Sequence, residues 1–395
     1  MRAAELAVDI VDAYSERETG GIGLSVSKVT LSAFRNYDSQ RIVCGKEPVV
    51  LTGANGSGKT NLIEAISLLV PGKGLRRSSL ADFQKIGVKE PWAVSIELLC
   101  GGVPVSIGTG KDRSCLNSEE EKRAVFIDGR PARSQNALSE HVVMAWITPE
   151  MDRLLSEGAS VRRKFLDRLA FAFDPAHGGR VQRYEKAMRE RLRLLREGCR
   201  DASWFSALED EMARSAVAIA ASRMHMISCL RIAMDEGGDV FPRADMEVRG
   251  TAEDMLEYKP ALLVEDALRD AFKGSRAEDT ASGTCATGAH RSDFKVSHRL
   301  RACPAELCST GEQKALIISL MLAFVRLLRT HKKAMPLFLL DDIAAHLDEI
   351  GRCALFEEVL FLGGQAWFTG QDTVSFSSLK SKAQFFCVEN GTVYG

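Results

Sequence analysis

Residues Gly53-Ala54-Asn55-Gly56-Ser57-Gly58-Lys59-Thr60 form a complete G-x-x-x-x-G-K-[ST] phosphate loop. The loop follows the apolar run Val49-Val50-Leu51 and opens the helix-like stretch from Asn61 to Val70. Strand, glycine turn and helix in that order are the context in which such a loop wraps a phosphate. The glycines let backbone amides turn inward around an anion, and the helix start behind them adds unsatisfied N–H groups and a positive dipole end. Lys59 is placed to reach the β- and γ-phosphates, and the Thr60 hydroxyl to hold Mg²⁺. The loop therefore predicts a chain that binds a nucleoside triphosphate.

A chain of 395 residues is too long for one simple core, so two or three domains, or one domain with a large insertion, are expected. Its 45 % apolar and 27 % charged residues are those of a globular protein, and the net charge of −1 confines any nucleic-acid surface to a local patch. Ten cysteines are scattered without a C-x-x-C pair, which reads as reduced thiols of a cytoplasmic protein and not as a disulfide framework or zinc site. No apolar run reaches the ~18 residues that span a bilayer, so no membrane association is expected.

Residues 1–23 read as a loosely attached N-terminal extension. Residues 24–148 have a strand pattern around the loop and make the first part of an α/β head, with a hairpin turn at Gly101-Gly102. From 149 to 250 the apolar spacing becomes helical, as in Phe165, Leu166, Leu169 and Phe173, and predicts an inserted helical lobe. The stretch Gly274 to Gly288 reads as an exposed loop. Residues 251–395 return to α/β and complete the head, closing on an Asn390-Gly391 hairpin. Residues 151–200 hold 13 Lys or Arg against 7 Asp or Glu. Such a helix face is either solvated or in contact with a nucleic-acid backbone, through Arg162, Arg163, Lys164, Arg189, Arg191 and Arg193.

The apolar strand Leu337 to Leu340 ends in Asp341 and Asp342. At the edge of a sheet Asp341 can reach Mg²⁺ near Thr60, and Asp342 can orient or deprotonate an attacking water. Before the apolar helix that starts at Glu312 lies Ser309-Thr310-Gly311-Glu312. It is either a plain capping box, Ser309 to Glu312, or a second anion-binding helix start. Its position ahead of the acidic strand matches the signature sequence of ATP-binding-cassette proteins, and Leu347-Asp348 after the acids resembles their D-loop.

Several stretches fall in the order found in the RecF family of bacterial recombination mediators. They are Phe34-Arg35-Asn36-Tyr37, the phosphate loop, Thr148-Pro149-Glu150-Met151-Asp152, Arg162 to Asp167, Gly288-Ala289-His290-Arg291-Ser292-Asp293, the Ser309 signature and Leu340-Asp341-Asp342. The chain resembles that family from Val26 to its C-terminus. The resemblance implies an SMC-type cassette ATPase head without the long coiled coil, carrying a helical lobe. It implies ATP and Mg²⁺ as ligands and ATP-driven homodimerisation on single-stranded and gapped DNA. RecO and RecR are the implied partners in placing RecA. By this likeness Lys59, Thr60 and Asp341 hold phosphate and metal, Asp342 stands for the cassette glutamate, and Arg35 lies near the nucleotide. Ser309, Gly311 and Glu312 complete the site of a second copy.

The sequence departs from that pattern in its N-terminal extension, in lacking a clear Q-loop glutamine, and in having Thr369-Gly370 where a switch histidine is expected. Slow, DNA-stimulated hydrolysis is the expected consequence. Two other classes are weighed: a nuclease-coupled ATPase of the overcoming-lysogenisation type, which needs clustered acids after residue 348, and a small-molecule P-loop kinase, which needs neither signature nor D-loop.

Overall fold

A computed structural model describes residues 23–112, 122–238, 240–332 and 335–395. The expected extension over residues 1–22, and Cys115, lie outside them. Along the chain, β1 (Leu24–Phe34), β2 (Tyr37–Val43) and β3 (Val49–Thr52) lead to α1 (Lys59–Ser67). Next come β4 (Ala93–Cys100), β5 (Val103–Lys111), β6 (Arg123–Ile127), β7 (Arg130–Pro131) and β8 (Met144–Ile147). Helices α2 (Ala159–Phe173), α3 (Ala176–Arg196) and α4 (Ala202–Asp235) precede β9 (Ala244–Arg249), α5 (Thr251–Leu256), α6 (Ala261–Gly274), α7 (Arg276–Ser282), β10 (Asp293–His298) and β11 (Cys303–Pro304). The last elements are α8 (Thr310–Lys332), β12 (Leu337–Leu340), α9 (Glu349–Leu362), β13 (Ala366–Gly370), β14 (Gln384–Glu389) and β15 (Thr392–Tyr394).

These elements divide into two compact units: residues up to Pro149 with Val325–Gly395, and Glu150–Phe324. The second unit thus runs past residue 251, where the sequence pattern has the head resume. The reason is that β9 and β10 pair with each other and make their own three-stranded sheet with β11.

In the first unit, β3 and β12 are buried at every position, which is why they read as unbroken apolar runs. They belong to a sheet ordered β15-β14-β3-β13-β12-β8, parallel except for the β14–β15 hairpin. The second sheet, β2-β1-β4-β5-β6-β7, is antiparallel throughout. The strands of residues 24–148 are therefore split between two sheets: β3 and β8 join strands from the far end of the chain. Both predicted hairpins form, with positive φ at Gly101 and Gly102 and at Asn390 and Gly391, as type I′ turns require.

A fully buried side chain links the two sheets. Gln365 accepts from the Val26 N–H (2.8 Å) and Trp367 Nε1 (3.1 Å), and donates to the carbonyls of Val26 (3.0 Å) and Gly45 (2.7 Å). It acts as an extra peptide unit, so no polar group of the amide is left unpaired. At the C-terminal end of α1, the buried Arg123 donates to the carbonyls of Leu68 and Gly72 and to Thr109 Oγ1. A cation there complements the negative end of the helix dipole, and burial lowers its pKa to about 10.

The second unit is held by charge as much as by its apolar core of Met212, Ala216 and Ile219 from α4 with Val264, Leu268 and Phe272 from α6. Arg191 is fully buried and donates to Glu209 (2.9 Å), Asp279 (2.6 Å) and the Phe272 carbonyl. Arg276 adds two bonds to Glu209, and Arg223 pairs with Asp167. The stretch expected as an exposed loop contains α7, because Asp279 must reach Arg191 inside the core. Helix α4, at 34 residues, is long and apolar enough to cross a bilayer, unlike anything expected from the sequence. Its most apolar window is 56 % buried in the unit, as in the core helix of a soluble fold, and the helix carries Glu209 and Arg223 within the charged core.

Removing Arg191 takes its cation from the buried Asp279 and leaves Glu209 with Arg276 alone. Arg191→Ala should cost about 3–5 kcal/mol in urea unfolding. Arg193→Ala, whose surface pairs with Glu190 and Glu197 are exposed, should leave the midpoint nearly unchanged. Equal midpoints for the two variants would show that the Arg191 network does not hold the unit.

Candidate functional site

In the first unit β3 delivers the phosphate loop directly to α1, and the loop is tied down from behind. Asn36 Nδ2 donates to the Ser57 carbonyl (3.0 Å), Tyr37 OH to the Gly58 carbonyl (3.0 Å), and the Gly391 N–H to Ser57 O (3.1 Å). Gly53, Gly56 and Gly58 have φ of 146°, 83° and 122°. A side chain on Gly58 would strike Asn36 and Tyr37, and one on Gly53 the Val388 carbonyl. Ala54, Asn55 and Gly56 form the exposed rim; Ser57, Gly58 and Lys59 form the buried floor.

Lys59 donates to the carbonyls of Gly53 (2.7 Å) and Ala54 (2.8 Å). Burial pulls its pKa below the usual lysine value, against the charges of Asp342 and Asp341. Among the described residues the buried Ser57 hydroxyl has no partner. A buried hydroxyl of this kind, beside a lysine that donates to carbonyls of its own loop, fits a cradle for an anion.

The acidic strand brings Asp341 to Thr60. Thr60 Oγ1 donates to Asp341 Oδ1 at 2.9 Å. Thr369, at the end of β13, donates to the same oxygen (2.7 Å) and accepts from the Asp342 N–H (2.8 Å). Asp342 is left-handed, with φ 48° and ψ 30°, so its carboxylate leaves the strand line that Asp341 follows. Thr60 and Asp341 supply hard oxygen ligands of the kind Mg²⁺ takes. Among the described residues no group of three His, Cys, Asp or Glu side chains forms an all-protein cage. That fits a Mg²⁺ completed by phosphate and water. Sequence reasoning missed Thr369, a buried polar residue at the end of an apolar strand, and the loop-holding role of Asn36 and Tyr37.

Arg35, also at positive φ (54°), is held away from open solvent. It makes two 2.9 Å bonds to the buried Glu64 carboxylate, bonds Ser78, and lies over the Phe83 ring. It neutralises a carboxylate in the helix that follows the loop.

In the second unit, Ser309 and Glu312 form a reciprocal capping box at the start of α8. Glu312 Oε2 accepts from the Ser309 N–H and hydroxyl, both at 2.9 Å, and the Glu312 N–H reaches Ser309 Oγ at 3.4 Å. These bonds from Ser309, helped by Arg301, hold the Glu312 carboxyl below its usual range. Ser309 and Gly311 are exposed, and among the described residues nothing beyond the helix's own first turn lies within 4 Å of where a Gly311 side chain would begin. The capping box is therefore present at an exposed turn.

The basic helices are corrected by the structure. Arg191 is sealed in the core. Arg162 makes a two-pronged pair with Asp293 (2.9 and 2.8 Å), and Arg163 donates to the Ser292 carbonyl. The stretch from Gly288 to Asp293 is thus a structural hub, to which Tyr184 adds a 2.7 Å bond with His290 Nδ1 and Arg223 a 2.7 Å bond to the Ala289 carbonyl. Arg193 is exposed but paired with Glu190 and Glu197. Lys164 and Arg189 are exposed without an ion-pair partner among the described residues.

Thr369→Val should strip Asp341 of a donor and leave the Asp342 N–H unpaired, at a cost of about 1–3 kcal/mol. Urea unfolding checks this; a variant as stable as the parent would remove Thr369 from the site's support.

Residues 25–361 match the family model described as the RecF/RecN/SMC N terminal domain. The DNA replication and repair protein RecF of Mesorhizobium japonicum is 46 % identical over 370 residues, covering 93 % of this chain and 97 % of that protein. Among solved structures, that of the recombination mediator protein RecF with ATP, in the RecFOR pathway, superposes with a TM-score of 0.82. It is 21 % identical and covers 96 % of this chain and 99 % of that one. The Smc head domain of Pyrococcus furiosus reaches 0.51 at 17 % identity, covering 94 % and 95 %. These likenesses establish the fold, an α/β head of the ATP-binding-cassette and SMC type. With a family model spanning most of the chain and a relative this similar over nearly its whole length, the chain belongs to the RecF family of DNA replication and repair proteins.

Proposed function

We propose that the protein is an ATP-dependent DNA-binding protein of recombinational repair and replication restart. ATP draws two copies together into a clamp on single-stranded or gapped DNA, which helps load RecA with RecO and RecR. The observation that carries this reading is the exposed, capped turn at Ser309 to Gly311 in a chain that already has its own phosphate loop. A helix start held open in this way is an anion site, and the RecF relative solved with ATP shares the fold.

In this reading the Ser57 hydroxyl, the loop amides and Lys59 hold the β- and γ-phosphates. Thr60 and Asp341 would hold Mg²⁺, which neutralises charge on the phosphate oxygens. Asp342, turned out of the strand line by its left-handed backbone, orients the water that attacks the γ-phosphorus as ADP leaves. An aspartate reaches less far than the cassette glutamate, so turnover is slow and the nucleotide acts chiefly as a timer for the dimer.

ATP with Mg²⁺ should shift the protein from monomer to dimer in sedimentation velocity at micromolar concentration. Ser309→Arg should abolish that shift and leave nucleotide binding by the monomer intact; a protein that stays monomeric with saturating ATP overturns the reading. For DNA, Lys164 and Arg189 remain the candidates with no competing carboxylate. Lys164→Glu and Arg189→Glu should each lower the slope of log affinity against log salt by roughly 0.7–0.9 per lost phosphate contact. An unchanged slope assigns both side chains to solvent.

A further inference from the structure

The turn that leads into Ser309 carries two thiols. Cys303 in β11 is half-buried, Cys308 sits buried immediately before the helix cap, and their sulfurs lie 3.5 Å apart. Both are tied to the frame of the second unit. β11 pairs with β10 through Ser297 with Pro304 and His298 with Cys303. The Cys308 N–H bonds the Ala305 carbonyl (3.1 Å), and the buried Gln313 side chain bonds the Cys308 carbonyl (3.0 Å).

We propose that Cys303 and Cys308 are an oxidisable pair whose disulfide disables the signature turn. The inference rests on the role proposed above for Ser309 in the ATP-dependent dimer. The oxidant is a peroxide. Cys303, the more accessible thiol, attacks as the thiolate and breaks the O–O bond, giving a sulfenic acid and water. Cys308 attacks the sulfenyl sulfur, forms the S–S bond and releases a second water. Two thiols lose two protons and two electrons, and hydrogen peroxide is reduced to two waters. Burial, then the neighbouring Cys303 thiol, push Cys308 up to about 11, which keeps it protonated and leaves the first step to Cys303.

Closure requires the sulfurs to move from 3.5 Å to about 2.05 Å. With β11 fixed in its sheet, the movement falls on Cys308 and the residue after it, Ser309. The 2.9 Å bonds that Ser309 makes to Glu312 set the geometry of the helix start, and a shift of this size breaks them. A thiol reductant reverses the change.

The test uses the full chain, treated with hydrogen peroxide, alkylated and digested with trypsin. The peptide spanning 302–314 holds Cys303 and Cys308 and no other cysteine. It should lose the mass of two hydrogens and escape alkylation, and dithiothreitol should restore both thiols. In parallel, ATP-dependent dimerisation should weaken roughly tenfold after peroxide and recover with dithiothreitol, as expected for loss of a helix cap at the contact. Cys303→Ser should dimerise like the reduced parent and ignore peroxide. A peptide that keeps both thiols overturns the proposal, as does a disulfide that leaves dimerisation unchanged. If the reduced parent does not dimerise with ATP, the dimer reading falls, and the turn is then judged by amide exchange at 309–313: faster exchange after oxidation supports the switch, and unchanged exchange overturns it.

Discussion

A buried carboxylate at the end of an apolar strand is costly unless donors reach it, and the first unit is arranged to supply them. Asp341 is 5 % exposed and receives the hydroxyls of Thr60 and Thr369 on one oxygen. Those contacts join three strands at their C-terminal ends: β3 through the loop and α1, β12 directly, and β13 through Thr369. The same three strands lie side by side in the parallel sheet. Nucleotide-binding crevices form at that edge of open α/β sheets, because loops and helix starts converge there. Thr369 also holds the backbone N–H of Asp342, so one hydroxyl fixes both acids. Lys59 sits in the field of both acids, whose charges offset the cost of burying its own.

The parts of the site that were legible in the sequence are those whose chemistry is local. A phosphate loop needs its glycines and its lysine within eight consecutive residues, and an acid-bearing strand needs four apolar residues before two aspartates. The sequence marks Thr369 only as standing where a switch histidine is expected; its bond to Asp341 was not legible, since 28 residues separate the two. The division of the strands between two sheets was not legible for the same reason. Strands β3 and β8 have their partners near the other end of the chain, and apolar periodicity does not say which strand lies beside which.

The basic helices show why charge counts mislead. The excess of Lys and Arg between 151 and 200 was read as a face, solvated or bound to a nucleic-acid backbone. Much of it is internal: Arg191 with Glu209 and Asp279, and Arg162 with Asp293. Each acid lies at a long sequence distance, so a window of fifty residues holds cations whose counter-ions lie outside it. The burial of Arg191 also explains α7. A loop with the composition of 274–288 becomes ordered because one of its carboxylates pairs with Arg191 inside the unit. A pair of this kind fixes which helices meet. α3 is bound to α4 through Glu209 and to α7 through Asp279, so the three cannot slide past one another without exposing a charge.

The turn at Ser309 poses the opposite problem, since the donors that cap its helix are the ones the proposed function needs for a ligand. In the single chain Glu312 accepts both donors of Ser309, the bonds an incoming phosphate would want. That self-capping lets a helix start remain exposed without unpaired donors, so the turn does not have to be buried or collapse in the absence of a partner. An anion that arrives must compete with a carboxylate already in place, and only a strongly charged group does so at low cost. Arg301 already pairs with Glu312, so a carboxylate displaced from Ser309 would keep a cation beside it. Under the function proposed above, the turn would be selective by competition: a triphosphate held by another copy would have to displace Glu312 from the Ser309 donors, which a weaker acceptor would not do.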